Sequence, residues 1–249
     1  MKVIEYFNLP KLASQNRRIP VQTLVDVHEL NKPEELMLRD HIQSIYLIGV
    51  LNEQTVHLKA QQDEKMLYEE IQILSVNLRD NKKVQTLDEA LHSYFPNPTL
   101  IVYQFQLNFM FSTALKHLHQ SIEERSVVDE RYTSYFSDLG DEENMYFLNT
   151  LNLNDMKVRN LKDLYNRYSQ LIYQQRLIKI TETYPRNDIE PEILKSKLSQ
   201  IENLQSKLNT LKEEAKSSKM MRSKMENHMQ QKTIEDEINQ ITKSLKEVS

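Results

Sequence analysis

Two histidines two positions apart are the first residues in this sequence that could do chemistry. His117 and His119 lie on a predicted strand, so their imidazoles would project from the same face. Two imidazoles can begin a metal site, but a third ligand and a carboxylate to orient them are not evident at a suitable spacing. The pattern favours a solvated strand end, and we predict no metal site and no cofactor.

Two neighbouring acids, Asp129 and Glu130, are the second candidate. A metal-dependent nuclease needs a further acid and a lysine alternating on an adjacent strand, where they hold a divalent ion and orient water. The apolar strand predicted over 100–106 carries Gln104 and Gln106 where such acids would be expected. A nuclease subunit therefore stays as an alternative function, and no catalytic residue is assigned.

Two groups of basic residues are candidates for binding. Arg17 and Arg18, near the start of the chain, form a small basic spot that could contact phosphate. The larger group lies near the C-terminus, where five basic residues against the single acid Glu226 give a local charge of +4 on a chain of net charge -4. Methionines are interleaved with these residues, which suits an adaptable binding surface, although a solvated helix surface has the same composition. The larger group comprises Lys216, Lys219, Arg222, Lys224 and Lys232.

The composition excludes several classes of site. The chain has no cysteine, so thiol nucleophiles, disulfides and thiolate metal sites are absent. Its only glycines are Gly49 and Gly140, which argues against a glycine-rich phosphate-binding loop. The N-terminal residues do not have the pattern of a signal peptide, and no stretch reaches the roughly 18–20 apolar residues of a membrane span. We expect a cytoplasmic protein that does not enter a membrane.

The elements that must position these residues indicate an α+β fold. Apolar and β-branched runs predict strands over 42–51 and 70–78, and over 100–106 and 109–118. A short helix with Thr86 as its N-cap separates the two pairs, so the expected domain is a small ββαββ sheet with its helix on one face. A further strand is predicted over 126–136. Residues 1–20 are expected to be irregular, and a helix is expected to start at Pro33.

The acidic segment 138–143 is the expected domain boundary, after which strand signals disappear. The predicted organisation is a sheet domain at 1–138, a helical connector at 139–185 and a coiled-coil-like helical arm at 186–249. Heptad spacing predicts two apolar seams in the arm, which are out of phase with each other. That offset favours a helical hairpin folding near residues 217–218 over one long helix that dimerises. The seams comprise Leu194, Leu198, Ile201, Leu204, Leu208 and Leu211, and Ile234, Ile238, Ile241 and Leu245.

The order of these segments resembles an uncharacterised bacterial domain-of-unknown-function family of about this length. The features that carry the resemblance are the run NRRIP at 16–20, the strand pair, the helix and strand over 87–103, and the segment MMRSKMENHMQQK at 220–232. The resemblance implies genes often found beside DNA methyltransferases and helicases in restriction-like, anti-phage loci. It implies no activity and no catalytic residues.

Together these observations predict a non-catalytic interaction subunit of a DNA-related defence complex, which docks on a helicase or a DNA methyltransferase. The basic segment of the arm is the candidate contact for that partner or for nucleic acid. The alternatives are a metal-dependent nuclease subunit and a homodimeric coiled-coil adaptor.

Overall fold

The computed structural model describes residues 2–118, 125–217 and 221–248, and it confirms a mixed α+β fold with helices at the C-terminal end. The strands are β1 Ser14–Ile19, β2 Ile42–Asn52, β3 Gln61–Gln62, β4 Leu67–Tyr68, β5 Glu70–Leu78, β6 Thr99–Phe105, β7 Asn108–Leu118 and β8 Ser126–Thr133. The helices are α1 Lys2–Glu5, α2 Val21–Val27, α3 Lys32–His41, α4 Glu53–Val56, α5 Val84–Tyr94, α6 Glu142–Thr150, α7 Leu161–Gln174, α8 Ile178–Thr181, α9 Pro191–Ser217 and α10 Met221–Val248.

Six of the strands form one mixed sheet in the order β1-β2-β5-β6-β7-β8, and β3 and β4 form a separate pair. All neighbours in the large sheet are antiparallel except β5 and β6, which are parallel because α5 carries the chain from the end of one to the start of the other. The sheet is therefore wider than the predicted ββαββ arrangement. Its first strand covers residues that the sequence predicted to be irregular.

The helix boundaries follow from their caps. Asn31 and Glu34 form a capping box at the start of α3, in which each side chain bonds the backbone N–H of the other residue at 3.0 Å. Helix α5 begins at Val84, two residues before the predicted N-cap Thr86, and its N-cap Lys83 makes no side-chain bond to the helix. The helix stops at Tyr94, shortly before Pro96, as proline disfavours helical backbone in the residue before it.

Helices cover both faces of the sheet, which corrects the expectation of a helix on one face only. Successive residues of a strand project to opposite faces. Ser112 of β7 lies 2.9 Å from the ring of His92 on α5, whereas Thr113 donates a 2.8 Å hydrogen bond to Ser169 on α7. Buried leucine, isoleucine and valine side chains dominate the α5 face, and buried aromatic rings are prominent on the α7 face.

The chain divides into two compact units, residues 1–176 and 177–249. The predicted boundary near 138 lies inside the first unit because α7 packs on the sheet. Its Tyr165 hydroxyl accepts from the backbone N–H of Ala114 and lies 3.0 Å from the carbonyl of Thr99.

In the second unit α9 and α10 lie antiparallel. Lys197 near the start of α9 donates a 2.6 Å bond to Ser244 near the end of α10, and Gln231 donates to the carbonyl of Leu211 at 3.1 Å. The two helices are therefore neighbours within one chain and not a single continuous helix. The predicted turn at 217–218 adjoins positions 218–220, which lie outside the described residues. None of the described helices combines the length and apolar composition that a membrane span requires.

Candidate functional site

An open groove of about 600 Å³ at one edge of the large sheet is the candidate binding site. Its lining comes from β1 and the residue after it, from α2, and from the C-terminal end of α5. We call it the arginine groove, because the sequence-predicted residues Arg17 and Arg18 both line it. The other lining residues are Ile19, Pro20, Thr23, Leu24, Val27, His28, Tyr94, Phe95 and Pro96.

Local sequence explains why β1 occupies this edge. The segment before β1 runs close to β2, and Val50 donates a 2.9 Å bond to the carbonyl of Ala13. A β-carbon on Gly49 would lie 2.8 Å from Leu9 Cδ1 and 3.3 Å from that carbonyl, so glycine permits the approach. Asn16 has a φ of 49° at an irregularity in the β1–β2 register. Pro20 follows the strand and begins the turn into α2.

The floor of the arginine groove is a stack of two buried rings. The rings of His28 and Tyr94 are 5.0 Å apart between centroids and 23° from parallel. Arg125 lies over Tyr94, with its guanidinium carbon 5.5 Å from the ring centroid, and donates a 2.7 Å bond to the carbonyl of His28. Burial, together with the charge of Glu34, raises the pKa of Tyr94. Because Tyr94 is 4 % and His28 8 % exposed, the rings support the floor and offer little free surface for stacking.

The chemistry of the groove suits a ligand that is both apolar and anionic. Most of its lining is apolar, and Val27 is 45 % exposed there. Arg17 and Arg18 are both exposed. Arg17 projects from the same face of β1 as Ile19, which packs against the α5-face core, and Arg18 projects from the other face. A largely apolar concave site with a few convergent polar groups is the usual form of a binding pocket.

A second cluster of polar residues lies buried between α5 and the sheet. Tyr103 donates a 3.0 Å bond to one carboxylate oxygen of Asp88, and Arg131 approaches the other at 3.2 Å. His92 lies 2.9 Å from the hydroxyl of Ser112. Burial raises the pKa of Asp88 and lowers that of His92 far below its usual value, so the imidazole is neutral.

This buried cluster contains serine, histidine and aspartate but does not form a catalytic relay. In such a relay the acid holds one ring nitrogen and the nucleophile the other. Here Nε2 of His92 faces both Ser112 at 2.9 Å and Asp88 at 3.5 Å. All three side chains are fully buried, so a substrate has no access.

Lys116 lies beside this cluster and caps the C-terminal end of α5. Its ammonium group donates to the carbonyls of His92, at 3.1 Å, and Phe95. Burial lowers the pKa of Lys116 to about 7. Ser126 donates a further 3.0 Å bond to the carbonyl of His92, so two strands hold the helix end whose residues line the arginine groove.

The other residues that the sequence singled out are not assembled into a site. Asp129 lies 3.1 Å from both Lys65 and His117, and these hydrogen bonds outweigh burial and lower the pKa of the carboxyl. Glu130 is the next residue of β8, and His119 lies outside the described residues. Within the described ranges, no group of three or more histidine and acidic side chains is arranged to hold a metal ion.

The residues predicted on the C-terminal arm fall into two groups, the apolar seams and the basic segment, and the structure describes the first fully and the second in part. Every seam residue is buried or half-buried, from Leu194 at 1 % exposed to the half-buried Ile234. In the basic segment, Lys216 and Lys232 are exposed at separate positions on α9 and α10. Lys219 and the side chains of Arg222 and Lys224 lie outside what the structure describes.

Comparison with known proteins gives one match. A family model described as "Domain of unknown function (DUF4391)" matches residues 7–238. The chain belongs to the DUF4391 family. No curated protein and no solved structure matches it. The region shared with the DUF4391 family includes the arginine groove, the buried cluster and the basic segment up to Lys232, and the predicted resemblance to a domain-of-unknown-function family is confirmed at that level.

Proposed function

We propose that this DUF4391 chain is a non-catalytic interaction subunit that binds a partner protein at the arginine groove. The observation that carries the proposal is the groove itself. It is open and mostly apolar, its lining includes the exposed Arg17 and Arg18, and it adjoins an edge strand of the sheet. Edge strands and apolar grooves are the surfaces on which partner segments commonly dock.

The state of the titratable residues supports binding over catalysis. Asp88, His92 and Ser112 are fully buried and bonded within the fold. Asp129, which the nuclease alternative would use, is paired with a lysine and a histidine. These side chains hold α5 against β7 and β8, and they hold β8 against the loop before β4. Their polar groups therefore stabilise the fold.

The proposed setting is a DNA-related defence complex, following the family resemblance noted in the sequence. The first partners to test are therefore DNA methyltransferases and helicases encoded beside the gene. In the same proposal the basic segment from Lys216 to Lys232 provides a separate contact, to the partner or to nucleic acid.

Affinity capture of the tagged chain, expressed with its neighbouring genes and treated with nuclease, tests the proposal. We expect a stoichiometric protein partner that survives nuclease and is lost when Val27→Asp places a charge in the groove. Leu107→Asp is the matched control, because Leu107 is 85 % exposed at the β6–β7 turn. Retention of the partner by Val27→Asp, or recovery of nuclease-sensitive material alone, would overturn the proposal.

A further inference from the structure

The chemistry of the docking segment can be read from the arginine groove, on the premise that the groove is the docking site proposed above. We infer that the groove takes an extended acidic segment of the partner, with one apolar side chain as its anchor. The anchor enters the groove beside Val27, and the main chain of the segment runs along β1. Because side chains alternate along both strands, a carboxylate on the α5 face of the sheet meets Arg17 and one on the other face meets Arg18.

The apolar anchor follows from the lining. Val27 presents 45 % of its surface on the wall formed by α2, while Leu24 beneath it is 4 % exposed. Phe95 and Pro96, which follow α5, also line the groove. A leucine or phenylalanine side chain placed against these residues would remove apolar surface of the groove and of the segment from water, which is the main favourable contribution to such contacts.

The acidic character follows from the two arginines. In the part of the chain that the structure describes, neither Arg17 nor Arg18 forms an ion pair or a side-chain hydrogen bond. A guanidinium binds a carboxylate through two parallel N–H···O bonds, a geometry that lysine does not offer. Carboxylates of the segment are therefore attracted to the β1 end of the groove.

The extended conformation follows from the position of β1. This strand pairs with β2 on one side through Arg17↔Leu47, Arg18↔Tyr46 and Ile19↔Ile45, and its other side is an edge of the sheet. An edge strand presents backbone N–H and C=O groups to an added strand. The irregularity at Asn16 and the missing N–H of Pro20 limit this pairing to about the length of Arg17–Ile19. The segment is therefore short, and its side chains provide most of the specificity.

A single-stranded nucleic acid fits the groove less well. Proteins that bind single strands offer exposed aromatic faces to the bases along a positively charged track. Here the two rings are buried against each other and under Arg125. The apolar walls have no counterpart in a phosphate backbone, whereas they match an apolar side chain.

Selection from a random peptide library on the full chain tests the inference. The selection is repeated on Arg17→Glu/Arg18→Glu and on Lys82→Glu/Lys83→Glu. The second pair is a matched control, because Lys82 and Lys83 are adjacent and exposed at the opposite end of α5. Thermal unfolding checks that each variant is folded.

We expect the original chain and the control to enrich peptides with an apolar residue beside aspartate or glutamate, and the Arg17→Glu/Arg18→Glu variant to lose them. For one enriched peptide, changing the apolar residue to serine or reversing both arginines should weaken binding at least about tenfold. Raising the salt from 50 to 200 mM should weaken it only a few fold, whereas a ligand held through six or more phosphate contacts loses about a thousandfold or more over that range.

Enrichment of peptides without acids, no enrichment, or preferential binding of a labelled single-stranded oligonucleotide with a steep salt dependence would each overturn the inference. If, in those cases, capture of a partner from cells is still lost in the Val27→Asp variant, the proposed interaction function stands. Only the inferred chemistry of the segment is then wrong. If capture also fails to depend on the groove, the proposed function fails as well.

Discussion

Asp88 is a carboxyl group with no exposed surface, held by the hydroxyl of Tyr103 and the guanidinium of Arg131. Arg131 is partly exposed, so water compensates its charge when the carboxyl is removed, and the main loss is the acceptor of the buried Tyr103 hydroxyl. We expect Asp88→Ala to lower the free energy of unfolding by about 1–3 kcal/mol, measured by urea denaturation. Asp40→Ala is the control, because Asp40 is an exposed helical aspartate and its change should be within about 0.5 kcal/mol. Equal losses in the two variants would contradict the structural role of Asp88.

Among individual residues, the sequence pointed to Arg17 and Arg18 but not to Asp88 and His92, and the difference has a physical cause. Arg17 and Arg18 stand out because two adjacent charges interrupt a short polar run, and both do line the groove. Asp88 and His92 were not predicted, although their spacing of four places them on the helix face that also carries Leu87 and Leu91. Their partners lie on strands that follow in the chain, and a single sequence does not reveal which side chains those strands will bring under α5.

Among the elements, α5 is unusual because a buried lysine, Lys116, caps its C-terminal end. The pKa of Lys116 is about 7 in the folded protein, against 10.5 for an ordinary lysine. Between these values the unfolded chain binds the proton and the folded protein does not, so stability rises with pH in that window. Below about pH 7 both states are protonated, and the contribution of Lys116 no longer changes.

We therefore expect the free energy of unfolding to rise by about 2 kcal/mol from pH 7 to pH 9 through this group, and Lys116→Met to remove that rise. The readout is the slope of stability against pH. The absolute value is less informative, because the substitution also leaves the carbonyl of Phe95 without its donor. Lys82→Met, at an exposed lysine, should keep the original slope. An unchanged slope in Lys116→Met would show that the ammonium group does not titrate near neutral pH.

The elements differ in how far their residues alone predict them. Two apolar strands, the helix between 84 and 94 and the leucine-spaced α7 have periodic patterns, and all are present. β1 has the residues SQNRRI, which show no apolar alternation. It is a strand because β2 offers a free edge and Gly49 lets the chain approach it. Such a strand depends on its neighbour and not on its own composition.

In the second unit, α9 and α10 pair with each other in an antiparallel arrangement. Both helices of the pair therefore come from one chain. Ile201 is 1 % exposed in this pair. We expect Ile201→Asp to reduce the helical circular dichroism signal and the thermal stability. Sedimentation should show no concentration-dependent change in mass, because the helices pair within one chain. Asn209→Asp, at an exposed position of α9, is the control. A dimer that Ile201→Asp dissociates would restore the coiled-coil adaptor as the better description.

The division of the molecule into units was the hardest feature to predict. The acidic segment 138–143 has the composition of a linker, and strand patterns end there. The chain nevertheless stays with the sheet for another full helix, because Tyr165 and Ser169 bond β6 and β7. Composition indicates where regular strands stop, whereas the first unit ends at 176.

The order of strands in the large sheet has a consequence for how the protein is made. Each strand pairs with the strand before it among those in that sheet, from β1 to β8. A chain that leaves the ribosome from its N-terminus can therefore add strands one at a time to a growing edge, without waiting for distant segments. The slowest step should be the parallel addition of β6, because α5 must form and cross over first. Until then β5 is an exposed edge of nascent chain, and that interval is when a chaperone would be most useful.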